Sequence, residues 1–178
     1  MSAVKNAVNQ NAYLSCVDDL LSTKQVSSMK QWKHHFSVTT YDHSLFVSYV
    51  SFRLARRLRC DYRMSARMGL LHDLYLYDGR DSSAHPGNQC FDHPVAALNN
   101  ARMLVKMSEK EENIIISHMW PLSKIPPRSK EALIVNIADK CCATVEVLFL
   151  SRVKRLQRWI PDTSAFLPAA HMAESTAS

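Results

Sequence analysis

Apolar residues recur every three or four positions along most of this chain, and only three of its 178 residues are glycine. That combination constrains the fold more than any other feature, because it fits helices joined by short loops and leaves little that reads as strand. Residues 10–22 place Tyr13, Val17, Leu20 and Leu21 at helical spacing. Residues 41–59 do so with Leu45, Val47, Val50, Leu54 and Leu58, and residues 62–74 read as a shorter helix. The stretch SEKE makes Ser108 and Glu111 a capping box, in which both side chains accept N–H groups of the first turn. It opens a helix that runs to about His118, and PLSKIPPRS then breaks the chain. His93-Pro94 is expected to open another helix, since a proline suits the first turn. A long helix is expected from Lys130 to Arg158, with Ile134, Ala138, Cys141, Val145 and Leu148 on one stripe. The predicted fold is all-α, a single bundle of six or seven helices over residues 10–160. Residues 1–9 and 161–178 are expected to be flexible. The latter stretch is small and polar with two prolines, so its His171 is set aside.

Charge and cysteine usage narrow the function. No run of 18 apolar residues exists, so no membrane span is expected, and MSAVKNAVNQNAY lacks the apolar stretch of a signal peptide. Five cysteines, with no CxxC pair, suit free thiols in a reducing cytoplasm. The net charge of +6 is concentrated in FRLARRLRCDYRMSAR (52–67), with six arginines, and RVKRLQR (152–158). No aromatic residues interleave with these basic ones in the manner of a nucleic-acid face, so a solvated helix face is the preferred reading. A basic rim would also suit a small phosphorylated molecule.

Six side chains sit oddly in this helical frame. His43 starts a helix, His72-Asp73 end one, His93 begins one, His118 ends one, and Asp139 lies within the apolar VNIADKCC. A buried bare carboxylate is very costly, so Asp139 needs a cation or another partner. If the helix ends face one cleft, all six can converge as nitrogen and oxygen ligands, a set suited to Fe, Mn, Co, Zn, Ni or Mg. Adjacent residues on a helix project about 100° apart, so His72 and Asp73 can serve one point only where the helix ends.

These residues carry a resemblance. His43, then His72-Asp73, then Asp139, spaced by 29 and 66 residues, resemble the H…HD…D signature of the HD-domain metal-dependent phosphohydrolases. TTYDHSLFVSYVSFRLARRL, ARMGLLHDLYLYD, FDHPVAALNNARML, IISHMWPL and IVNIADKCCATVE are similar to successive ligand-bearing segments of that family, over about residues 31–150. The chain particularly resembles its small, stand-alone bacterial members. The resemblance implies a helical bundle in which His43, His72, Asp73 and Asp139 hold one divalent ion. His93 and His118 would hold a second, with Asp73 bridging. It implies hydrolysis of a phosphate ester, with a nucleotide or similar small phosphomonoester as the expected substrate. A cyclic dinucleotide is less expected, because LYLYDGR rather than a GYP tripeptide follows the HD pair.

Outer roles rest on position along the chain, and for His35 on the resemblance as well. Asp73, His85 and Lys140 are candidates for the catalytic centre, His85 as a proton donor from the long polar loop 77–92. His35, Lys124 and Arg128 are candidate substrate contacts, and His34 is expected at the surface. Gln89 and Cys90 depart from the family pattern, where a further His and a Gly are expected. The competing readings are a metal-bound regulatory module without turnover, and a nucleic-acid binder that uses the arginine face. A homodimer is left open.

Overall fold

A computed structural model describes residues 2–35, 38–79, 81, 83–84 and 87–148, with side chains from residue 8 onward except that of His35. Among these residues the fold is seven α-helices, one 3-10 turn (Met29–Gln31) and one short hairpin. Helix α1 spans Ser2–Leu21, α2 Lys24–Ser28, α3 Thr40–Arg57, α4 Tyr62–Leu71, α5 Gln89–Leu104, α6 Glu109–Ile116 and α7 Lys130–Leu148. Strands β1 (Lys33–His35) and β2 (Val38–Thr39) pair antiparallel just before α3, with Lys33 opposite Thr39 and His35 opposite Val38. A hairpin whose two strands total five residues, with an irregularity in register at His34, is too short to register as alternation in the sequence. It is docked by the Thr40 N–H, which donates to the Trp32 carbonyl at 2.8 Å.

The periodic stripes of α1 and α3 become the core. Tyr13, Val17, Leu20 and Leu21 are fully or almost fully buried, and α1 starts at Ser2 rather than at residue 10. On α3 the buried face is Tyr41, Leu45, Ser48 and Phe52, with Ser44, Val47 and Ser51 beside it, whereas Leu58 is exposed. The serines matter for packing. Helix α4 lies close against α3 because Gly69 faces Ser48; a Cβ on Gly69 would stand 3.0 Å from the Ser48 Cα. Gly69→Ala would force the two backbones apart. The start of α3 is fixed by Thr39, whose hydroxyl accepts the Asp42 N–H while Asp42 returns to the Thr39 N–H. Ser108 and Glu111 cap α6 in the same reciprocal way.

Two boundaries differ from expectation. Helix α5 opens at the Asn88 cap, whose side chain accepts the Cys90 N–H at 2.9 Å, so His93 lies in its second turn and the preceding loop ends at residue 88. On α7 the buried stripe is Ala132, Val135, Ala138, Cys142 and Glu146. It is rotated by about one residue from the expected one in its second half, leaving Cys141 and Leu148 exposed. Residues 149–158 of the expected long helix, RVKRLQR among them, and the tail 161–178 lie outside the described residues.

The arginine cluster is largely engaged within the fold. Arg67 pairs bidentately with Asp19 of α1, Arg63 donates to the Ser15 carbonyl, and Arg56 donates to Asn9 while lying over the Phe52 and Tyr62 rings. These contacts tie α1 to α3 and α4. All five cysteines are free, and no helix among the described residues is long and apolar enough to cross a membrane.

Candidate metal centre

Helix termini converge on one point inside the bundle. Antiparallel packing of α3 on α4 brings His43, in the first turn of α3, beside His72-Asp73, just past the last residue of α4. His72 is the C-cap residue, still in right-handed helical geometry, and Asp73 follows past the helix end, where both neighbours reach the same point. His93 comes from the second turn of α5, His118 from the turn after α6, and Asp139 from the middle of α7. All six are buried.

The histidines are oriented by their Nδ1 atoms. His72 Nδ1 lies 2.8 Å from the Gly69 carbonyl, His93 Nδ1 2.5 Å from that of Gln89, and His118 Nδ1 2.7 Å from that of Ile115. His43 Nδ1 lies 2.8 Å from a carboxylate oxygen of Glu146, itself almost fully buried. A carbonyl only accepts, so in the three histidines backed by carbonyls Nδ1 carries a hydrogen. In the neutral rings Nε2 is then a bare lone pair. Such backing by carbonyls and carboxylates fixes the tautomer of metal-ligating histidines generally.

Those Nε2 atoms surround Asp73 in two groups. Its Oδ2 lies 3.9 Å from His43 Nε2 and 3.6 Å from His72 Nε2. Its Oδ1 lies 3.4 Å from His93 Nε2 and 3.5 Å from His118 Nε2. Asp139 Oδ1 completes the first group, 3.2 Å from His43 Nε2 and 3.8 Å from His72 Nε2. Most of these separations are long for hydrogen bonds. They suit atoms sharing an ion, since ligands about 2.1 Å from a tetrahedral centre stand roughly 3.4 Å apart.

The donor atoms themselves call for cations. His72 Nε2 and Asp73 Oδ1 are buried with no hydrogen-bond partner among the described residues. His93 Nε2 and His118 Nε2 face each other at 2.8 Å, although both rings give their Nδ1 hydrogen to carbonyls. With both rings neutral, a shared cation would let two lone pairs hold that separation; a proton on one Nε2 serves in its absence. The residues therefore fit one or two divalent ions, and four nitrogens with two carboxylates suit borderline metals. Two overlapping groups, His43-His72-Asp139 and His72-Asp73-His118, have ligand atoms close enough to share an ion.

Electrostatics differ across the cluster. Burial alone would lower His43, but the carboxylates of Asp139 and Glu146 outweigh it and raise the ring to about 10. His72 is raised by Asp73 and Asp139 against the same burial. Burial would raise both aspartates, yet the histidines around them hold Asp73 and Asp139 well below the usual carboxylate range. His118 goes the other way: burial, then His93 and His72, push it down to about 3.

The cluster floors a cavity of about 310 Å³, whose lining includes His34, Tyr75, Gln89, Cys90, Met119 and Lys140. Lys140 donates to the His118 carbonyl at 2.8 Å, and half-burial lowers its ammonium despite nearby Asp139. Gln89 and Cys90, expected from the sequence to depart from the family pattern, both line this cavity.

The remaining sequence candidates separate. Lys124 lines a different, apolar groove with Phe91, Pro94, Val95 and Ile125. Arg128 is exposed and does not line the cavity. The reason lies in Asn113. Its side chain donates to the Pro126 carbonyl and accepts the Arg128 N–H, which draws the loop back along α6, away from His118. His85 and the side chain of His35 lie outside the described residues. Two residues escaped the sequence reading. His34, expected at the surface, stacks on His43 with ring centroids 4.1 Å apart and lines the cavity. Glu146 sits two turns after Asp139 in the apolar stretch VEVL, and the question asked of Asp139, what a buried carboxylate pairs with, would have found it.

Comparison with known proteins agrees with this geometry. No curated protein and no solved structure matches the chain. The family model described as HD domain matches residues 40–144, which include all six converging side chains. With helices, spacing and ligand cluster in agreement, the chain belongs to the HD domain family.

Proposed function

We propose that this protein is a metal-dependent phosphohydrolase acting on a small phosphomonoester, with mononucleotides as the leading substrate class. The observation that carries the reading is the placement of Asp73, with one carboxylate oxygen toward each of two imidazole groups, at the floor of a small cavity with cationic walls. His43, His72, Asp73 and Asp139 would hold one ion, and Asp73, His93 and His118 a second. A bound pair of divalent ions supplies water acidified toward neutral pH and neutralises charge that builds on phosphoryl oxygens.

The chain's own residues do the rest. Carbonyls of Gly69, Gln89 and Ile115, with Glu146, hold each imidazole in one tautomer. Lys33 and Lys140 line the cavity and suit the charge of a phosphate. Lys140 is anchored by the His118 carbonyl, so its ammonium is positioned rather than free to swing. Tyr75 and Met119 offer flat and apolar surface to the body of the substrate. A volume of about 310 Å³ is at the low end for small-molecule sites, which favours a mononucleotide over a dinucleotide.

The test strips the full chain with chelator and reloads it separately with Mn, Fe, Co, Ni, Zn and Mg. Phosphate release is then followed across a panel of nucleoside monophosphates and simple phosphomonoesters. Turnover that needs the ion and favours nucleotides is expected. Stoichiometric metal binding without turnover on any ester would replace the hydrolase with the metal-bound regulatory module.

A further inference from the structure

We propose that His34 is a further protein ligand on the Oδ2 side of Asp73, so that this half of the centre holds its ion with five protein donors against three on the Oδ1 side. The inference rests on the site being a metal centre, not on its turnover. His34 lies before residue 40, outside the matched residues, so nothing about it is carried over from the family.

The geometry gives three reasons. His34 Nδ1 stands 3.6 Å from Asp73 Oδ2, the same distance as His72 Nε2 and nearer than His43 Nε2 at 3.9 Å. His34, His43 and Asp73 offer atoms that all lie within 4.8 Å of one another, as a shared ion requires. The ring is also held in place. It stacks on His43 at an interplanar angle of 24°, and Nδ1 lies 3.2 Å from the Tyr75 hydroxyl. Burial keeps Tyr75 protonated, so its O–H can donate to Nδ1 of His34 in the metal-free protein, and an ion beside Asp73 would take that lone pair in its place.

The position follows from the hairpin. Strand β1 pairs with β2, and β2 runs into Thr39, the cap of α3, four residues before His43. The strand carrying His34 is thereby pinned to the helix end carrying His43. With His34 included, the Oδ2 side has five protein donors: His34, His43, His72, Asp73 and Asp139. The Oδ1 side has three: Asp73, His93 and His118. A phosphate group then finds room chiefly on the Oδ1 side, next to His93, His118 and Lys140.

Cobalt titration of the chelator-stripped full chain tests this, because cobalt absorption reports ligand number and type. In His34→Ala, one of the wild type's binding phases should weaken by roughly tenfold or more, with a changed visible spectrum, while the other phase holds. In His34→Cys, a thiolate-to-cobalt band absent from the wild type should appear. This second variant decides the matter even if the alanine variant folds poorly. Wild-type phases and spectrum in His34→Ala, with no new band in His34→Cys, would overturn the proposal and leave His34 as a substrate contact. A wild-type chain that takes up no cobalt would instead overturn the metal centre itself, and this ligand with it.

Discussion

The two oxygens of Asp73 look onto unlike surroundings. Toward Oδ2 lie His43, His72 and Asp139, with Glu146 behind His43, and the histidines there are pulled toward their charged forms by carboxylates. Toward Oδ1 lie His93 and His118, two imidazoles backed only by carbonyls, with His118 driven toward its neutral form. The first half is rich in negative charge. The second is poor in it, and both of its histidines line the cavity. One carboxylate thus joins a group of donors rich in negative charge to one poor in it, and on the proposed reading the second is where a substrate would approach.

The largest effect should come from removing the joint itself. Asp73→Ala takes a donor from both halves at once, so metal content should fall below about one-tenth of wild type while the helical circular dichroism persists. Loss of one preorganised electrostatic group costs about 10²–10³ in rate, and losing a donor shared by two sites should exceed that. Retention of full metal content by this variant would dissolve the comparison, because neither half would then depend on Asp73.

Variants confined to one half come next. His118→Ala should cut a two-ion stoichiometry to one, leaving the Oδ2 half loaded. Glu146→Gln keeps the size of the side chain but removes its charge from His43 Nδ1; the Oδ2-side ion should bind about 10–100-fold more weakly and the other unchanged. Calorimetric titration of the stripped variants separates the cases. Equal weakening of both ions in both variants would mean that the halves act as one unit.

Much of this was legible in the sequence, and the limits are physical. The helical period placed α1, α3 and α4, and Ser108 with Glu111 announced α6, because caps and stripes are local. The six converging residues were legible because charged or polar groups at helix ends and within an apolar run demand partners. His34 was not, since choosing it over its neighbour depends on a hairpin too short to leave a pattern. Nor were the positions of Lys124 and Arg128, which Asn113 sets by bonding to a loop 13 and 15 residues away. On α7 the stripe was misplaced because Cys141 and Cys142 are equally apolar, and only the packing decides which one faces inward.

The smallest and most graded prediction concerns pH in the metal-free protein, where the two halves should pull in opposite directions. His43 has a folded value of about 10, above the ordinary 6.5, so the folded state holds a proton that the unfolded state loses. Its contribution is complete below pH 6.5 and is lost as pH rises toward 10, and His72 adds to that loss. His118 is depressed to about 3, so below pH 6.5 the unfolded state binds a proton that the folded state refuses. Stability therefore falls as pH drops from 6.5 toward 3, and the depressed aspartates deepen the fall below pH 3.8. Thermal melts of chelated protein should peak near pH 6.5 and decline on both sides. Saturating divalent metal should flatten the alkaline limb first, because an ion on the Oδ2 side takes the place of the His43 and His72 protons. An alkaline limb that metal leaves unchanged would place those protons, and with them the charge difference between the halves, somewhere other than around Asp73.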